Sequence, residues 1–166
     1  MHFLQKCIAK YFEKVLEKIA LETDVKVELK KEKNILNIYE IQEQLEKANN
    51  RKIWLKCGGF ITIDKTEALT AIDVNSGKYI GGKDLEQTVY RVNREATIEI
   101  AKQLRLRDIG GIIIIDYIDM EKDETKNKIL EELNECLKKD RSKNQIIGFT
   151  PLDLLEMTRK HMCSND

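Results

Sequence analysis

Two stretches decide the architecture: GIIIIDYID at residues 111–119 and ALTAIDVNSG at residues 68–77. Four consecutive isoleucines, Ile112 to Ile115, predict a strand buried on both faces, central in a covered sheet. Alternation over residues 68–74 predicts a second strand, with Ala71, Asp73 and Asn75 on one side of it. Between the two lies the longest periodic segment, residues 84–107. Its Leu85, Val89, Val92, Ala96, Ile100 and Leu104 form one apolar stripe at helical spacing. Asp84 and Glu86 near its start, with Arg105 and Arg107 near its end, suit the helix dipole. Strand, helix and strand in this order form the centre of an α/β unit.

Outward from that centre, Gly58-Gly59 separates strands at 53–55 and 60–64, a hairpin signal. Downstream, a charged helix at 123–139 leads through DRSKN to a strand at 145–149, and Pro151 introduces a final helical piece ending near Lys160. From Lys52 the expected order is β-β-β-α-β-α-β-α, a mixed sheet flanked by helices, which is an α/β architecture. Ahead of it, residues 3–20 read as an amphipathic helix, residues 25–29 and 35–39 as short strands, and 41–48 as a brief helix. Two parts are expected: residues 1–50 with the N-terminal helix and strands, and residues 51–166 with the main sheet.

Composition narrows the function classes. Hydrophobic residues make up 42% and charged residues 35% of the 166, which describes a globular protein with a heavily solvated surface. No apolar run approaches the roughly eighteen residues that cross a bilayer, and no signal-peptide pattern opens the chain, so a cytoplasmic location and no membrane partner are expected. Lys+Arg and Asp+Glu both number 29, so any grip on nucleic acid must come from charge segregated by face. Cys7, Cys57, Cys136 and Cys163 form no CxxC pair, which argues against a zinc knuckle and a disulfide framework.

Asp73 and Asp116 sit where acids are expensive. Asp73 interrupts an apolar run and Asp116 caps the isoleucines, and an ionised carboxylate there needs a pair, hydrogen bonds or a metal. Both lie late in strands that lead into or out of the long helix, and ligands of α/β sheets gather beyond such strand ends. If the strands run parallel and adjacent, the carboxylates converge. Two carboxylates with waters in the remaining positions suit magnesium, which dehydrates reluctantly. Such an ion activates water and offsets charge on a phosphodiester. Asn75, on the face of Asp73, can fix that carboxylate's orientation. Each aspartate can equally end its strand as a turn residue, and Asp119 competes with Asp116 as an outer group.

Other motifs carry less. Gly81-Gly82-Lys83 and Gly110-Gly111 lack phosphate-loop spacing, and His2 and His161 have no evident partner. Basic residues cluster at Arg91, Arg94, Lys102, Arg105 and Arg107 on the long helix, where a solvated face explains them. They cluster again at Lys138, Lys139, Arg141 and Lys143 in a loop, where phosphate contacts are commoner.

The stretches GGFITIDKTEALTAIDVNSGK (58–78), EIAKQLRLRDIGGIIIIDYIDM (99–120) and LLEMTRK (154–160) resemble the catalytic core of the ribonuclease E/G family over roughly residues 41–160. The resemblance implies a deoxyribonuclease I-like subdomain from Lys52 onward, and an N-terminal part similar to the end of a ribonuclease H-like subdomain. It implies that Asp73 and Asp116 bind magnesium, that Asn75 supports Asp73, and that Lys143 lies near the RNA; with Arg141 of the same basic cluster it is the expected substrate contact. The implied activity is hydrolysis inside single-stranded RNA, leaving 5′-phosphate and 3′-hydroxyl ends. Family members normally carry an oligonucleotide-binding domain ahead of this core and a CPxC zinc link after it, and neither is visible here. The expectation is a fragment or truncated member without a zinc-linked dimer. Two alternatives stand beside it: a non-catalytic RNA-binding or assembly module on the same fold, and a metal-dependent phosphodiesterase acting on DNA or small phosphates.

Overall fold

The computed structural model describes residues 46, 49–77 and 85–162. The chain divides into two units, Met1–Glu43 and Gln44–Asp166, and the described residues belong to the second. The helix and strands expected before residue 40 lie outside the described residues, as does the expected helix start at Asp84.

Among the described residues, six strands and two helices follow in the order β1 (Lys52–Trp54), β2 (Phe60–Lys65), β3 (Leu69–Asn75), α1 (Leu85–Leu106), β4 (Gly111–Asp116), α2 (Asp123–Leu137), β5 (Asn144–Phe149) and β6 (Leu154–Arg159). They build one mixed sheet in the order β1-β2-β3-β4-β6-β5. Only β3 and β4 pair in parallel, and this pairing needs the long crossover that α1 supplies. The other neighbours are antiparallel. The α/β mixed sheet read from the sequence is the observed one.

One face of the sheet carries the core. Ile61 and Ile63 of β2, Ile72 and Val74 of β3, Ile113 and Ile115 of β4, and Leu155 and Met157 of β6 alternate onto it. Against them pack Val92, Ala96, Ile100 and Leu104 of α1, with Ile129, Leu133 and Leu137 of α2. Truncating a side chain such as Ile113, fully buried here, removes about 2–5 kcal/mol.

The expectation that the isoleucine strand is buried on both faces is corrected. Ile113 and Ile115 are fully buried, but Ile112 is 51% exposed and Ile114 half-buried, so among the described residues one face of the sheet is open. A run of identical apolar residues erases the alternation that would have revealed this. The final helix is also corrected. Thr150 to Asp153 form a tight turn, with Asp153 at φ 59°, and the segment after Pro151 is strand β6. LLEMTR is rich in helix formers, yet β4 and β5 each offer it an antiparallel ladder, and pairing outweighs propensity.

At the start of β4 a buried ion cluster locks the sheet. Arg159 is fully buried and donates to Asp140 (2.7 Å), to Asp108 (2.9 Å) and to the carbonyl of Ile109 (2.8 Å). Burial pushes the Asp140 carboxyl up, but the hydrogen bonds from Arg159 and the Ser142 N–H, with the charges of Arg159 and Arg105, outweigh it and hold the carboxyl below its ordinary range. A carboxyl lowered by folding contributes stability above its unfolded pKa and loses that contribution as pH falls through the folded value. Urea unfolding is therefore expected to show stability declining on acidification below the ordinary carboxylate range. Asp140→Asn should flatten that decline, and Arg159→Met should cost about 3–5 kcal/mol at neutral pH.

Candidate metal centre

Asp73 and Asp116 are register partners on the parallel pair β3 and β4. Neighbouring strands lie about 4.8 Å apart, so the two residues stand side by side at the carboxyl ends of their strands. Both are exposed and both point to the open face, because their neighbours Ile72, Val74 and Ile115 fill the core face. Residues 73–76 and 116–119 together line a shallow depression of about 340 Å³. The pair of acids singled out in the sequence is thus brought together by the fold.

The charge balance of this pair favours a cation. Partial burial raises the Asp116 carboxyl above its ordinary value, and the negative charges of Asp73 and Asp119 raise it further. Among the described residues, the charged groups acting on Asp116 in this way are acids. A divalent ion held by the two carboxylates would remove that repulsion. Among the described residues no group of three or more His, Cys, Asp and Glu converges, so Asp73 and Asp116 are the carboxylates that would hold an ion here, with solvent in its remaining positions. That set fits a hard, oxygen-loving ion that keeps its waters.

Asn75 lies two residues beyond Asp73 on the same face, where its Oδ1 accepts the Gly77 N–H at 3.0 Å. This bond shapes the turn leaving β3. Gly77 sits at φ 62°, and a side chain there would meet the Gly58 carbonyl oxygen at 2.6 Å, so the turn after β3 rests directly on the β1–β2 turn. Glu95 of α1 in turn accepts the N–H groups of Lys56 and Cys57, fixing the β1–β2 turn to the helix.

The second strand end is held by Asn93, a residue the sequence reading passed over. Asn93 is fully buried on α1 and grips the loop after Asp116 at two points. Its Nδ2 donates to the Ile118 carbonyl at 2.8 Å and its Oδ1 accepts the Ile118 N–H at 3.1 Å. Thr97 one turn on meets the buried Tyr117 hydroxyl at 2.8 Å. The signal was an amide inside the apolar stripe, between Val92 and Ala96. Asp119 lies in this loop and lines the same depression.

Arg141 and Lys143 are exposed and are not brought to the aspartates. Lys143 precedes Asn144, which pairs with Arg159, which pairs with Gly111 at the far end of β4. Asp116 is five residues up that strand, about 17 Å away by strand rise alone. Three basic residues on and just after α1 are engaged within the fold: Arg94 with Glu132 (2.9 Å), Lys102 with Glu99 (3.4 Å) and Arg107 with the Asn50 carbonyl (2.8 Å). Cys57 and Cys136 are half-buried free thiols, both raised by burial.

A parallel strand pair ending in two facing carboxylates can hold a hard cation. The chain belongs to the Ribonuclease E/G family, whose model matches residues 4–162. It is 48% identical over 126 residues to ribonuclease G of Salmonella typhimurium (strain SL1344), covering 76% of this chain and 26% of that protein. It is 45% identical over 126 residues to ribonuclease G of Escherichia coli (strain K12), again 76% of this chain and 26% of the relative. With ribonuclease E of the same strain it shares 46% over 124 residues, 75% of this chain and 12% of the relative. The chain therefore spans about a quarter or less of the length of these relatives.

Replacing Asn93 with Ala should orphan both backbone groups of Ile118, at about 1–3 kcal/mol for each buried group left unpaired. Urea unfolding is expected to show that loss, and hydrogen exchange at the Ile118 amide should accelerate more than exchange within β3.

Proposed function

We propose that this chain carries the magnesium-dependent cleavage site of an endoribonuclease acting on single-stranded RNA. The observation that carries the reading is the register pairing of Asp73 with Asp116 on an open face, with Asp119 lining the same depression. The kinship with ribonucleases G and E points the same way.

The residues divide the work. Asp73 and Asp116 supply the anionic oxygens that hold the ion, and their adjacent strands fix the spacing between them. A bound magnesium ion supplies charge neutralisation at the phosphodiester and activates water for in-line attack. Asn75, its Oδ1 occupied by Gly77, has its Nδ2 hydrogens left to orient the Asp73 carboxylate. Asn93 keeps the loop after Asp116 in place, so the second carboxylate does not drift with it. Hydrolysis leaves a 5′-phosphate and a 3′-hydroxyl, the outcome of water attacking the phosphorus and the 3′ oxygen departing. Arg141 and Lys143, at the other end of the sheet, serve as distant phosphate contacts along an extended strand. The alternative is a module on the same fold that binds RNA without cutting it.

The test is cleavage of a 5′-monophosphorylated single-stranded RNA. Internal cuts are expected with magnesium, lost on chelation and restored by its return. Asp73→Asn and Asp116→Asn should each lower the rate by at least about 100-fold, because the ion's electrostatic contribution is worth several kcal/mol. Cutting that survives both chelator and substitution would remove the mechanism, whereas RNA binding without any cutting would establish the module instead.

A further inference from the structure

The open face holds a second constellation beside the aspartates. Trp54 pairs with Phe60, and Phe60 pairs with Asn75, so these three form one row across β1, β2 and β3. Lys52, Thr62, Asp73 and Asp116 form the next row on the same face. Trp54 is 65% exposed, an unusual place for the largest side chain on a sheet face. Phe60 meets it edge-on, with centroids 5.3 Å apart. The Lys52 ammonium lies 4.2 Å from the Trp54 ring centre and 3.5 Å from that of Phe60. Arg51 on the same edge is paired with Asp64. Two strand spacings and two residues of rise place Trp54 about 12 Å from Asp73.

We infer that Trp54, backed by Phe60 and flanked by Lys52, is a base-stacking subsite for a nucleotide of single-stranded RNA close to the bond cut at the aspartate pair. The inference rests on the reading of that pair as the cleavage site. Its chemistry is the one that holds unpaired strands elsewhere: an aromatic face for a base and a cation for the adjoining phosphate. The acids alone would repel a polyanion, and Lys52 provides opposite charge on the same face. A stacked base also fixes the direction of the strand and sets which phosphate reaches Asp73 and Asp116. Any base has a π face, so the subsite tolerates sequence while discriminating against duplex, whose bases are already stacked.

Trp54 is the sole tryptophan of the chain, so its fluorescence reports on this subsite directly. The measurement uses the whole chain in chelator, titrated with a single-stranded oligoadenylate of about ten nucleotides, a length within common site sizes. Saturable quenching of Trp54 emission is expected, with little quenching by an abasic strand of equal length. By the anisotropy of labelled RNA, Trp54→Ala should weaken binding about five-fold or more, and Trp54→Phe should recover most of it. Lys52→Gln should weaken binding and reduce its salt dependence. RNA binding that leaves the emission unchanged, equal affinity of the Trp54→Ala variant, or no binding at all would each overturn the subsite. The two readings fail separately. Metal-dependent cutting without quenching keeps the cleavage site and removes the subsite, and quenching without cutting keeps the subsite and removes the cleavage site.

Discussion

The structure depends on the in-register parallel pairing of β3 with β4. On the core face of that pair, Ile72 lies beside Ile115 and Thr70 beside Ile113, all withdrawn from water. On the other face the same register sets Asp73 against Asp116. The burial of the isoleucines offsets the repulsion of the carboxylates, and a slip of one residue would exchange the two faces. The site's geometry and the core's stability are therefore one constraint seen from two sides.

Much of the remaining structure serves to hold the ends of these two strands. At the end of β3, Gly77 lies against Gly58, and Glu95 clamps the turn that carries Gly58. At the end of β4, the Asn93 amide fills both hydrogen-bonding groups of Ile118. Glu95 and Asn93 are close in sequence on α1, so one helix steadies both strand ends. At the opposite end of the sheet, Arg159 ties β6 to Asp108 and Asp140, which keeps β6 seated against β4. These groups hold structure that the exposed acids cannot hold themselves.

The two helices cover only one face among the described residues, and the consequence is functional. Because the second face is open, acids, an exposed indole and a lysine share one surface, within reach of a single extended ligand. A sheet covered on both sides, as the isoleucine run suggested, would have confined the site to its strand tips. Ile112 at 51% exposure is the residue that separates the two pictures.

The sequence by itself determined the strands, the long helix and the two acids, because alternation, helical periodicity and a charge in an apolar run are local patterns. It misread residues 154–159 because their helix-forming composition is local, while the ladders they join belong to β4 and β5, distant in the chain. It missed Asn93, Arg159 and Trp54 because each takes its role from partners brought near only by folding. It read Arg141 and Lys143 as substrate contacts without saying where they lie, and strand direction puts them at the other end of the sheet from the acids. Tertiary structure alone decided which strand ends meet and which face stays open, since strand order and register are properties of paired segments and no single segment encodes them.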